Sequence, residues 1–242
     1  MSDQSPQVEQ KTTAQTPSKN ESSQAPRPRR TRPQLSRPMM RRKLSLNSLQ
    51  AQKVVDRSFS RVSSSLFSTD VILQIIADPE HVGRTEEVIA GMMDKVSDDL
   101  SLMIEQTSKN MSDNGIADLP EYTNPKLYDI EIISPQVAAF ANLLVRLDVL
   151  TAQIDALWFN GVYTNQQRSK GTFEWQQRLI RLAGRIIGIE KEARMVAYKK
   201  GKNEEVDKNA PVIEIEAVEG EEIIAISSEE YEAAEAEAKA KA

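Results

Sequence analysis

The chain has 242 residues, no cysteine and a formal net charge of −5. That excludes disulfide, thiol and cysteine-ligated metal chemistry, and the length suits one or two compact domains. The average charge conceals a segregation: residues 1–67 carry thirteen Lys or Arg against four acids, residues 202–242 four against thirteen.

The amino-terminal part, 1–38, is rich in Ser, Gln, Pro, Lys and Arg and has too few apolar groups to offset the entropy of ordering. It is read as a disordered basic arm. No acid occurs between Glu21 and Asp56, while eight cations fall between Arg27 and Lys43. Prolines keep the arm from forming a helix, and the guanidiniums of Arg29, Arg30, Arg32 and Arg37 are available to phosphate. Such local charge points to a polyanionic partner, and binding through it depends steeply on salt.

The stretch RRKLSLNSLQAQKVV, 41–55, changes periodicity halfway. Polar residues alternate with Leu44 and Leu46 up to Asn47, which predicts a strand with one buried face. Its outward set is Arg41, Lys43, Ser45 and Asn47, with Arg42 beside them. A helix follows, capped by Asn47 or Ser48, with Gln50 placed to complete a capping box with Asn47. Val55, Phe59, Val62 and Leu66 form its apolar stripe. SSSLFSTD, 63–70, is rich in turn and cap residues and predicts the end of that helix. A second short helix, VILQIIAD, then runs to a stop at Pro79. VILQIIA, at 71–77, is also the longest apolar run and is too short to span a bilayer.

Thr85 is expected to cap the next helix, with Ile89, Met92, Met93, Val96, Leu100, Met103 and Ile104 along its buried side. His81 falls in the preceding loop and reads as an ordinary surface histidine. Residues 108–125 read as an exposed loop and LYDIEII, 127–133, as a second strand. Ser134 caps a long helix with Pro135 at its first position, carrying Val137, Phe140, Leu144, Leu147, Ile154 and Leu157 to a stop at Gly161. A further helix spans about 165–199, with Trp175, Leu179, Leu182, Ile186 and Ile187 buried. The remainder, 202–242, is read as an acidic flexible tail, either solubilising or competing with DNA for the arm.

The architecture expected is mainly α with short strands, an α+β class. Its parts are the basic arm at 1–38, a ribbon-helix-helix-like DNA-binding region at 39–80, a helical body with dimerisation surface at 81–201, and the tail. A lone strand leaves an unpaired edge, so it is expected to pair with its copy in a homodimer. The resulting ribbon fits the DNA major groove. There Lys43 can donate to guanine, Asn47 can pair with adenine, and Ser45 serves as donor or acceptor. Asn47 cannot easily cap a helix and read a base at once, which leaves Lys43 and Ser45 as the main base readers, with Arg41, Arg42 and the arm arginines on phosphate. Ser68 and Thr69, at the start of the second helix, offer a phosphate site against which Asp70 argues.

No phosphate-cradling loop, nucleophile motif or metal cluster is present, so no enzyme, cofactor, small-molecule ligand or membrane partner is expected. MSDQSPQVEQ has no apolar core and reads as no secretory signal, giving a cytoplasmic expectation.

Two regions together resemble the AcaB family of transcriptional regulators of conjugative plasmids and integrating conjugative elements. They are LSLNSLQAQKVVDR, 44–57, and IEIISPQVAAFANLLVRLDVLTAQIDALWFNGVYTNQQ leading into WQQRLIRLAGRIIGI. The positions that carry the likeness are Pro135, Leu143, Leu144, Asp148, Gly161 and Arg181, and it covers most of 42–190. The resemblance implies a DNA-binding dimer with a ribbon-helix-helix-like amino-terminal region that regulates transcription of transfer genes, and an activator is the expectation. It assigns no base-reading residue and gives Asp148 no part in DNA contact. The arm and the acidic tail depart from the family pattern. Alternatives are a relaxosome or partition accessory protein, and an RNA or protein adaptor working through the charged tails.

Overall fold

The computed structural model describes residues 38–77 and 79–211, the side chains of 79 and 80 excepted. Arg29, Arg30, Arg32 and Arg37, with the rest of the expected arm, and the tail beyond 211 lie outside these residues.

Strand β1, Met40–Leu46, forms where the alternation predicts it, with Leu44 and Leu46 buried and the residues between them exposed. It pairs antiparallel with β2, Lys126–Ile132, from the same chain, Arg41 opposite Glu131 and Lys43 opposite Asp129. The edge expected to need a second subunit is therefore taken in cis. The physical reason is that LYDIEII alternates in the same sense: Ile130 and Ile132 turn inward beside Leu44 and Leu46, so both strands bury one face together.

The helix after β1 does not stop in the serine-rich segment. Helix α1, Leu49–Val54, passes through a π turn, Val55–Phe59, into α2, Ser60–Ile76. The ribbon-helix-helix order expected for 39–80 is therefore replaced by a strand and one continuous helical path. Ser68 and Thr69 are buried inside α2, not at a helix start, so no phosphate site exists there. Serine suits caps, but within a helix its hydroxyl can return to the carbonyl four residues earlier, as Ser58 does to Val54 O at 2.6 Å. Small side chains at Ser65, Ser68 and Thr69 then fit the buried side of a helix that packs along α5. The π turn directs Val54, Val55, Ser58 and Phe59 inward together, and Phe59 stacks on Phe140 at 6.3 Å.

Helix α3, Pro79–Asp113, begins earlier than expected. The preceding helix does end before Pro79, at Ile76, and Pro79 itself opens α3, since a first-turn N–H makes no intrahelical bond that proline would lose. His81 thus lies in its first turn, and Thr85 is interior, its hydroxyl donating to His81 O at 3.0 Å. Helices α4, Pro135–Phe159, and α5, Asn165–Lys199, match expectation. Ser134 caps α4 with Pro135 behind it, and Gly161 turns the chain at φ +73°. Thr164 and Gln167 close a reciprocal capping box on α5. By length and composition α4 could cross a bilayer, which the sequence reading did not register. Here it is the core helix: Phe140, Leu144, Leu147, Leu150 and Leu157 are fully buried against the other elements.

The segment from 202 is not wholly tail. Helix α6, Asn203–Asn209, packs Val206, together with Ala210, against Ile72 and Ala197. Arg194 secures it, donating to Ala210 O at 2.8 Å and pairing with Glu190 at 2.7 Å.

Candidate nucleic-acid interface

The two strands build a ribbon with chemically distinct faces. Inward, Leu44, Leu46, Ile130 and Ile132 join the main core. Outward stand Arg41 and Glu131, then Lys43 and Asp129, then Ser45 and Leu127, each pair directly opposed. Arg41 Nε lies 3.5 Å from Glu131 Oε1, and both side chains are largely exposed, so the pair is weak. The outward face thus offers donors on β1 and carboxylate acceptors on β2, with no net charge. Arg42 falls in the inward register opposite Ile130 yet stays exposed, and its cation meets no acid among the described residues.

The corner between β1 and α1 is built with more care than a surface strand requires. Ser48, not Asn47, caps α1, its Oγ accepting from Ala51 N at 3.4 Å. Gln50 takes no part in a capping box at Asn47. Asp148, from the middle of α4, aims its carboxylate at the same helix start. Oδ1 accepts Ser48 N at 2.6 Å, and Asn47 N lies 3.1 and 3.0 Å from the two oxygens. Asn47 Nδ2 also donates to Oδ2 at 3.2 Å. A buried carboxylate is costly unless its lone pairs are met; here first-turn donors and the helix dipole meet them. Asn47 is therefore not the cap; one of its two amide N–H groups is spent on Asp148 while the side chain stays exposed.

Gln52 completes the corner from inside. Its buried amide lies within hydrogen-bond distance of Leu46 O at 3.1 Å, Asn47 O at 3.2 Å and Asn124 O at 2.9 Å. The chain leading into β2 is thereby tied to the end of β1. Lys126 adds an exposed ion pair with Asp56 at 3.0 Å, bridging β2 to the π turn. Tyr128 packs behind it, its phenol raised above the ordinary range by burial and then by the Asp56 carboxylate.

The sequence located Lys43 and Ser45 correctly on the exposed side and separated them from Leu44 and Leu46. It did not bring Asp129 and Glu131 to the same face, nor Asp148 to the corner. One signal was available: Asp148 is an acid set among the buried positions of an apolar helix, where a lone carboxylate needs donors. Among the described residues no cluster of His, Asp and Glu is arranged to hold a metal ion.

No family model matches the chain, and no curated protein does. A solved structure of selenomethionine-containing AcaB from uropathogenic E. coli is similar, with a TM-score of 0.71 and 55% sequence identity. The match covers 73% of this chain and 91% of that one. Identity at that level over nearly the whole of the relative extends well beyond a shared architecture: the chain belongs to the AcaB family.

Proposed function

We propose that this protein is a sequence-specific double-stranded DNA-binding transcriptional regulator of conjugative transfer genes, acting as an activator. The observation that carries the reading is the β1–β2 ribbon: two short strands with polar side chains on one face, held on a rigid corner by Asp148 and Gln52. A two-stranded ribbon has the width of the B-DNA major groove. Lys43 and Ser45 supply donors, and Asp129 can accept from cytosine N4. A neutral face reads bases but attracts no phosphate, so backbone affinity falls to Arg42 and the arm residues Arg29, Arg30, Arg32 and Arg37, with Arg41 joining them when its weak exposed pair with Glu131 opens. Asn47 contributes by fixing the corner.

The homodimer remains part of the proposal on different grounds. The second edge of β1 carries no strand among the described residues, so a copy of β1 can extend the sheet there.

Footprinting the full chain on promoter DNA of a conjugative element tests the reading. A protected site of two symmetric half-sites, with discrimination lost in Lys43→Ala and Ser45→Ala, supports it. Equal affinity for specific and random duplexes, unchanged in those variants, refutes it. Reporter expression from the footprinted promoter separates a regulator from a DNA-binding accessory factor.

A further inference from the structure

Away from the ribbon, a cavity of about 320 Å³ lies between the carboxy-terminal ends of α2 and α5 and the first turns of α3. Leu73 and Ile76 from α2 and Ile189, Ala193 and Val196 from α5 form its walls. They give an apolar lining to a cleft that opens to solvent on the side of Val196, His81 and Lys200. The space is at the lower end of the range for small-molecule sites.

The polar groups gather on the same cavity. Lys200 lines it while Nζ donates to Ile76 O at 2.9 Å, meeting one of the carbonyls left open at the end of α2. An ammonium has three donors, so two remain. His81, the single histidine of the chain, lines the cavity from the first turn of α3, where the helix dipole favours an anion. Thr85 spends its hydroxyl on His81 O, and Glu192 already has an interaction partner. Lys200 and His81 are thus the groups able to meet an anion beside the apolar walls, with the Glu192 carboxylate on the same rim.

We propose that this cavity is a binding site for a small monocarboxylate with an apolar body. The carboxylate meets Lys200 and His81, and the body lies against Ile76, Ile189 and Val196. At about 30 Å³ per non-hydrogen atom, the volume admits a guest of roughly ten such atoms, the size of octanoate. The ribbon and its proposed DNA contacts take no part in this site, so the two proposals stand or fall separately.

Calorimetric titration of the full chain with octanoate, octylamine and 1-octanol tests it. Octanoate should bind saturably, one per chain, and at least about tenfold more tightly than either analogue, because only it brings a full negative charge to the Lys200 ammonium. Lys200→Gln should weaken octanoate by about tenfold and leave octanol unchanged. Val196→Trp, at a half-exposed wall position, should abolish binding of octanoate by filling the space. Absence of saturable octanoate binding overturns the proposal. So do octylamine or octanol binding as tightly, octanoate affinity unchanged in Lys200→Gln, and binding that survives Val196→Trp.

Discussion

Asp148 and Ser48, 100 positions apart, meet at 2.6 Å, the carboxylate of the core helix accepting the first backbone N–H of the helix that follows the ribbon. That contact joins the most buried element of the protein to its most exposed strand. It makes the orientation of β1 a property of α4 packing. Asp148→Ala leaves the buried N–H of Ser48 and the part-buried N–H of Asn47 without their acceptor. The expected cost is about 3 kcal/mol, since hydrogen bonds to a charge are worth roughly 1.5–3 kcal/mol and unmet donors add to that. Asp148→Asn keeps one acceptor and should cost about half as much. Urea unfolding measures both, and amide exchange at Asn47 and Ser48 should quicken more than in the body of α4.

A second buried carboxylate predicts a different asymmetry. Asp155 accepts from Arg168 Nε at 2.5 Å and from the Tyr122 hydroxyl at 2.8 Å, while the guanidinium lies 4.3 Å over the Trp158 ring. Removing one member of a buried pair strands the other charge, at a cost of about 3–5 kcal/mol when both are enclosed. The Arg168 side chain is about a third exposed, so screening lowers the expectation for Arg168→Ala to about 2 kcal/mol. Arg168→Lys should recover little, because an ammonium lacks the planar stack on Trp158. Comparing the three proteins by urea unfolding at fixed salt decides it; full recovery by lysine contradicts the stacking argument.

The legible parts of the fold are those where one face is buried against everything else. β1, α4 and α5 fall into this class, and the apolar stripes through Val137–Leu157 and Trp175–Ile187 are buried as spaced. The serine run at 63–70 misled because its local preference for a turn competes with burial on α5, and the packing prevailed. The partner of β1 was illegible for another reason. Pairing Arg41 with Glu131 spans ninety positions, and nothing local states which strand completes the ribbon. The charge complementarity of RRKLS and YDIE is visible only once the two are laid side by side. In α6 the acidic composition masked the spacing of Val206 and Ala210, which alone marks a packed side.

Tyr122 makes the Asp155 cluster visible by titration. Burial first, and the Asp155 hydrogen bond second, raise its phenol well above the ordinary value of about 10. With the folded value raised, its contribution to stability is fully present below the unfolded value and declines as pH climbs above it. Absorbance at 295 nm through an alkaline titration should show Tyr122 remaining protonated after ordinary tyrosines have ionised, and releasing its proton with unfolding. Tyr122→Phe should lower the amplitude of that late step by one tyrosine, leaving the part that belongs to Tyr128, whose phenol is also raised. A titration identical to that of Tyr122→Phe contradicts the buried hydrogen bond.

The neutral outer face of the ribbon yields the sharpest test of the proposed DNA reading. Asp129 and Glu131 offset Lys43 and Arg41 across the strands, so the ribbon contributes little to non-specific attraction. Replacing both acids, Asp129→Asn with Glu131→Gln, leaves the fold's buried face untouched because both side chains are exposed. Arg41 then loses its ion-pair partner, and Lys43 loses the carboxylate that stands opposite it. Non-specific affinity should rise, and the slope of log K against log salt should steepen by up to about two, near one for each cation newly available to phosphate. Discrimination between specific and random duplexes should fall at the same time, because affinity is gained where sequence is not read. Fluorescence anisotropy at several salt concentrations measures all three quantities. An unchanged slope with unchanged discrimination would place the ribbon away from DNA and leave binding to the arm alone.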